Sequence, residues 1–207
     1  ENLIKEEKIL NEVTDFLFDL LERHSLFQAS EYLALKVLNE VSCTIDDDLA
    51  KQLETYRAMK KGNTAPDILF EGDNNTPGYA ANTIPKKLSD LNSSYAVVVF
   101  GASWCTKCTE ELPKIVNLYQ KWKAQGVEVV FISLDEDKSA YKDFVKNFPF
   151  ISTCDYQKWD SKILKDFYVF GTPTIYLLDN NREILLRPNS VNQMDSWVDW
   201  YLIVGNK

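Results

Sequence analysis

Val97-Val98-Val99-Phe100-Gly101-Ala102-Ser103-Trp104-Cys105-Thr106-Lys107-Cys108 runs from an unbroken apolar, β-branched stretch into two cysteines three residues apart. An apolar run with no polar alternation predicts a strand buried on both faces, over residues 96–100, of the kind found in parallel sheets. Helix-period residues come next, so a helix is expected over residues 106–124. Cys105 therefore falls where a strand ends and a helix opens. At such a point unpaired backbone N–H groups and the positive end of the helix dipole favour a thiolate. Cys108 lies one turn deeper, within reach of the first sulfur, and the pair suits a reversible intramolecular disulfide.

Outward from this stretch the chain keeps alternating. Strands are predicted over 127–134 and 150–153, and helices over 138–148 and 160–167. Residues 174–178 and 183–186, joined by Asp179-Asn180-Asn181-Arg182, read as an antiparallel hairpin, and 191–203 as a closing helix. Upstream, 67–70 reads as a strand and 72–78 as a turn-rich loop. The order βαβαβαββα predicts an α/β sheet with helices on both faces. Residues 1–60 differ: they hold no Gly or Pro, and Ile9, Val13, Phe16, Leu17, Leu20 and Leu21 recur at helical spacing. A helix is expected over about 3–23, a second through Leu33, Val37, Leu38 and Val41, and a third from Asp46-Asp47-Asp48. Lys60-Lys61-Gly62-Asn63-Thr64-Ala65-Pro66 breaks the pattern and divides the chain in two. Residues 1–62 form a helical region, expected to pack on an α/β domain over 63–207.

Composition narrows the function classes. The 207 residues are 45% hydrophobic and 13% aromatic, enough for a substantial core and too ordered in texture for a disordered chain. A net charge of −8 lacks the cationic surface on which nucleic-acid binding rests. No apolar run reaches the roughly 20 residues that cross a bilayer. The start at Glu1 rather than Met leaves room for a removed secretion signal or anchor.

Four cysteines make six pairs, so a spacing of three arises by chance roughly six times in a hundred, and the placement of the pair carries more weight than the spacing. Structural zinc needs four ligands, and Cys43, Cys154 and the single His24 stand apart. A c-type haem site needs His after the second Cys, where Thr109 stands. A purely structural bridge over three residues would gain little chain entropy. Redox chemistry is the strongest reading, with no metal or organic cofactor required. A thiol peroxidase using Cys105 and a non-enzymatic binding module with a structural disulfide stand as alternatives.

The stretch from Val97 to Cys108 resembles the active-site strand and elbow of thioredoxin-fold proteins, and Gly171-Thr172-Pro173-Thr174 resembles their cis-proline loop. Ala65-Pro66-Asp67, Leu88-Ser89-Asp90-Leu91, Glu111-Leu112-Pro113 and an inserted helix and strand between Asp135 and Asp155 are similar to the TlpA/ResA-like envelope thiol-disulfide oxidoreductases. The resemblance covers about residues 64–205 and implies a thioredoxin-like fold, a central mixed sheet flanked by helices, behind an all-helical N-terminal region.

It also implies roles. Cys105 would be the exposed nucleophile and Cys108 the buried resolving thiol, with Glu111 as the acid near the pair. Trp104, Thr172 and Pro173, expected cis, would meet a disulfide-bearing protein substrate. A thiol donor, which in such families can be membrane-bound, would return the electrons, in the periplasm or cell envelope and in the service of redox homeostasis. Three positions depart from thioredoxin itself: Val99 replaces a buried Asp, Gly101 a usual Trp, and Thr106-Lys107 the Gly-Pro between the cysteines. Lys107 should favour thiolate by its charge. Cys43 and Cys154 are expected to be unpaired thiols, Cys154 the more accessible and at the same sheet end as Cys105.

Overall fold

The structure, a computed structural model, describes residues 2–23, 26–40, 53 and 57–205. The chain divides into two units, Glu1–Asn63 and Thr64–Lys207. In the first, α1 (Asn2–Arg23) and α2 (Phe27–Glu40) form as the helical spacing predicts. Phe18, Ala34, Val37 and Leu53 make its buried core, with Leu33 packed against them. Ile9, Val13, Phe16, Leu17 and Leu20 are exposed, so the face of α1 that is buried passes through Thr14 and Phe18 instead of the broader predicted stripe. Cys43, His24 and the helix predicted from Asp46 lie outside the described residues.

The second unit is built on a six-stranded sheet. Its strands are β1 (Asp73–Asn75), β2 (Tyr95–Gly101), β3 (Val127–Ser133), β4 (Ile151–Cys154), β5 (Thr174–Asp179) and β6 (Ile184–Leu186), in spatial order β1-β4-β3-β2-β5-β6. β2, β3 and β4 run parallel, while β5 is antiparallel to β2, β6 to β5 and β1 to β4. The sheet is mixed because the hairpin reverses direction after three parallel strands. α3 (Thr106–Ala124), α4 (Lys138–Val145), α5 (Lys162–Asp166) and α6 (Val191–Trp197) connect or close it, α6 running on as a wider π-type turn over Val198–Val204. Every residue of β3 is buried, and all of β2 except Tyr95, which is why these strands carry apolar runs.

Two upstream readings are corrected. Residues 67–70 make only an isolated bridge, Leu69 with Lys87, and Asp67 is occupied instead by the amide and hydroxyl of Ser89. Inside the stretch read as a loop, Asp73–Asn75 is a strand that pairs with β4. Gly72 admits it there: its φ is +105°, and a Cβ would overlap the Cys154 carbonyl. Covered by β1, Cys154 is 1% exposed, so the accessible thiol predicted there is buried.

Register decides what meets at one end of the sheet. Gly101 pairs with Ser133 and Ser133 with Cys154, so three parallel strands finish level. Phe100 pairs with Thr174, which brings residues 171–173 to the same edge from the opposite direction. Cys154 does lie toward the end occupied by Cys105.

Candidate active site

Cys105 and Cys108 form a disulfide, with their Cα atoms 5.2 Å apart. Cys105 is the N-cap of α3, and its sulfur accepts from the Cys108 N–H at 3.2 Å. A side chain that accepts from a first-turn N–H satisfies one of the helix's orphan donors, and the same donor stabilises a thiolate in the reduced form. The two cysteines are unequally buried, Cys105 being 8% exposed and Cys108 not at all, so Cys105 is the more accessible of the pair but not the openly exposed residue that the resemblance implies. Cys108 fits because residue 101 is glycine, since a Cβ there would stand 3.1 Å from its Sγ.

The other predicted residues gather unequally around the pair. The Thr172–Pro173 bond is cis, and the Thr172 carbonyl oxygen lies 3.5 Å from Cys105 Sγ. Trp104 stands half exposed beside the disulfide, edge-on to Trp159 and with the Lys158 ammonium 5.7 Å from its ring centre. Lys107 is exposed.

Glu111 is positioned one turn beyond Cys108, but its described hydrogen bonds run elsewhere. One carboxylate oxygen accepts from Lys114 and the other from the Val191 N–H at 2.8 Å, tying α3 to the start of α6. Burial raises its pKa, but the Lys114 and Val191 bonds, with the charges of Lys114 and Lys107, outweigh that and hold it below the ordinary glutamate value.

Sequence reasoning missed several neighbours. Trp159, Leu164, Lys165, Tyr168, Val169 and Phe170 line an apolar cavity of about 520 Å³. Two of its residues lead toward the pair: Trp159 is edge-on to Trp104, which precedes Cys105, and Phe170 lies two residues before Thr172, whose carbonyl meets Cys105 Sγ. Aromatic residues spaced irregularly across a loop carry no periodic signal. Asp135 belongs to no motif, although an acid directly after the apolar run of β3 is unusual enough to notice. It is 1% exposed and accepts from Ser103 and Ser133. Cys154 donates to the Asp135 backbone carbonyl at 3.3 Å, and burial pushes its thiol up to about 11. Among the described residues no group of three or more His, Cys, Asp or Glu is placed to hold a metal, and no helix is long and apolar enough to cross a membrane.

Comparison with known proteins gives the arrangement its relatives. A thioredoxin-like family model matches residues 92–184. The thiol-disulfide oxidoreductase ResA of Bacillus subtilis is 29% identical over 132 residues, covering 62% of this chain and 66% of that protein. ResA of Oceanobacillus iheyensis is 32% identical over 160 residues, covering 77% and 78%. The match to a Bacillus cereus ResA covers 57% of that protein, so the chain spans between half and two thirds of the first Bacillus relatives. Among solved structures, a putative thiol:disulfide interchange protein DsbE from Chlorobium tepidum superposes with a TM-score of 0.55 at 28% identity, over 71% of this chain and 97% of that one. Similarity that extends at 32% identity over most of a ResA protein, around a cysteine pair set at this strand–helix junction, places the chain in the thioredoxin-like, ResA-type thiol-disulfide oxidoreductase family.

Proposed function

We propose that this chain exchanges disulfides with protein substrates through Cys105 and Cys108, acting as their reductant. The observation that carries the reading is the asymmetry of the pair: Cys105 caps the helix N-terminus and keeps a small exposed fraction, 8%, while Cys108 behind it has none. The Cys105 thiolate attacks one sulfur of a substrate disulfide; the new S–S bond joins enzyme and substrate, and a substrate thiolate leaves with the electron pair. Cys108, deprotonated, then attacks Cys105 Sγ and releases the second substrate thiolate, so the substrate gains two electrons and the pair ends oxidised. An external thiol donor returns those electrons. Glu111 acts on the pair by its charge, by resemblance and by its place one turn from Cys108: a carboxylate there opposes a second nearby negative charge, so Glu111→Gln is expected to lower a thiol pKa, read in the pH profile of thiol alkylation.

Trp104, Thr172 and Pro173 serve as the substrate contacts, the Thr172 backbone meeting an extended segment while the apolar cavity beyond Trp104 takes a flanking side chain. The cell envelope is the proposed setting, since a cycling dithiol needs oxidised substrates.

Insulin reduction tests the function. Cys105→Ser is expected to abolish it, and Cys108→Ser to accumulate a mixed disulfide with substrate, visible on a non-reducing gel. Equal trapping by both variants would remove the assignment of nucleophile and resolver.

A further inference from the structure

Asp135 is 1% exposed, and a polar group buried to that extent costs free energy unless hydrogen-bond partners satisfy it. Every described partner of its side chain is a neutral donor. The Ser103 N–H lies 3.1 Å from one oxygen and 3.3 Å from the other. The Ser103 hydroxyl donates at 2.6 Å, and the Ser133 hydroxyl donates to the second oxygen at 2.6 Å. Ser133 Oγ in turn accepts from the Asp135 N–H at 3.1 Å, closing the carboxylate onto the end of β3. Above it, the Leu134 N–H donates to the Gly101 carbonyl at 2.8 Å.

These bonds converge on the turn that carries the nucleophile. Ser103 stands two residues before Cys105, and the turn is otherwise pinned by the Cys105 N–H to the Ala102 carbonyl at 3.2 Å. An apolar residue would fill a buried site after β3 without any charge to satisfy. The acid instead supplies two acceptors to one serine, fixing both its backbone and its side chain.

We propose that Asp135 is a positioning residue of the redox site: its carboxylate latches Ser103 to the end of β3 and thereby holds Cys105 in line with the first N–H groups of α3. The inference rests on the reading of Cys105 as nucleophile. Loss of the latch lets the turn drift, and displacements of about 1 Å at a reacting group are known to slow reactions by up to about a hundredfold.

The test measures the rate at which Cys105 of the reduced, full-length chain is alkylated at neutral pH, followed by peptide mass spectrometry, together with the thermal transition. Asp135→Asn and Asp135→Ala both remove the charge, but the Asn carboxamide oxygen still accepts from the Ser103 N–H. Asp135→Ala is therefore expected to react at least about fivefold more slowly than Asp135→Asn. Ser103→Ala, which keeps the charge and loses the hydroxyl bond, is expected to fall about two- to fivefold below wild type. Equal rates in folded Asn and Ala variants overturn the latch, whatever their thermal stability. Should Asp135→Ala show no folded transition, Ser103→Ala at the wild-type rate overturns it alone. In wild type, a Cys105 no more reactive than Cys108 would instead sink the nucleophile assignment on which the latch depends.

Discussion

A Cβ on Gly101 would stand 3.1 Å from Cys108 Sγ and 3.1 Å from the Phe131 ring, and both neighbours are completely buried. Neither has room to retreat in a close-packed core. Gly101→Ala is expected to destabilise the chain by about 1–3 kcal/mol in urea unfolding, while a surface substitution such as Glu110→Ala stays within about 0.5 kcal/mol. A Gly101→Ala variant as stable as wild type would mean that the sulfur of Cys108 moves freely. Cys154 is the converse case, a thiol with no outlet. Its folded value near 11 lies above that of an unfolded cysteine, so it holds its proton where the unfolded chain would lose it. Its contribution to stability is therefore complete below about pH 8.5 and lost as the pH climbs through the folded value. Native protein is expected to leave Cys154 unlabelled by iodoacetamide at mildly alkaline pH, and to label it fully in denaturant; labelling under native conditions would show that β1 opens.

At the scale of elements, caps explain where helices begin. The Asp137 carboxylate accepts from the Ala140 N–H at 2.7 Å and opens α4. Asp137→Ala is expected to cost about 1 kcal/mol, seen as a Tm lower by about 2–4 °C, and an unchanged Tm would show that packing alone sets the helix. The elements most legible in the sequence, β2 and α3, are those where local pattern and final environment agree: a wholly apolar run is buried on both faces, and the helix over 106–124 has the predicted bounds. β1 was illegible because Asp73-Asn74-Asn75 has no strand propensity of its own. Its conformation comes from β4 beside it, and only Gly72 upstream hints at the close approach. α1 was legible as a helix but not in its orientation, because Phe18 was hidden within a broader set of apolar residues.

Over the whole molecule, the residues of the site come from segments far apart in sequence. Cys105 and Cys108 could be read from spacing, and Thr172-Pro173 from a second motif. Ser103, Asp135 and the wall of Trp159 and Phe170 could not, because only register brings β2, β3 and the 159–170 segment together. Long-range ties of this kind also set the response to acid. Glu111, held below the ordinary glutamate value, joins α3 to α6, so its stabilising contribution is present above about pH 4–5 and is lost as the pH falls through the lowered value. Glu111→Gln is expected to be about 1 kcal/mol less stable than wild type at neutral pH, with the gap closing on acidification, by denaturant titration at several pH values. A constant gap would assign the difference to packing. The pairing of Phe100 with Thr174 has a dynamic consequence too. The cysteine turn and the proline loop hang from adjacent strands of one ladder, so neither can swing away from the other without breaking the middle of the sheet. Deuterium uptake should then be slowest and simultaneous in peptides covering 95–101 and 174–179, at the rate of global opening, while the turn-rich segment 76–84 exchanges early. Earlier uptake in 174–179 alone would mean that the two walls of the site breathe independently.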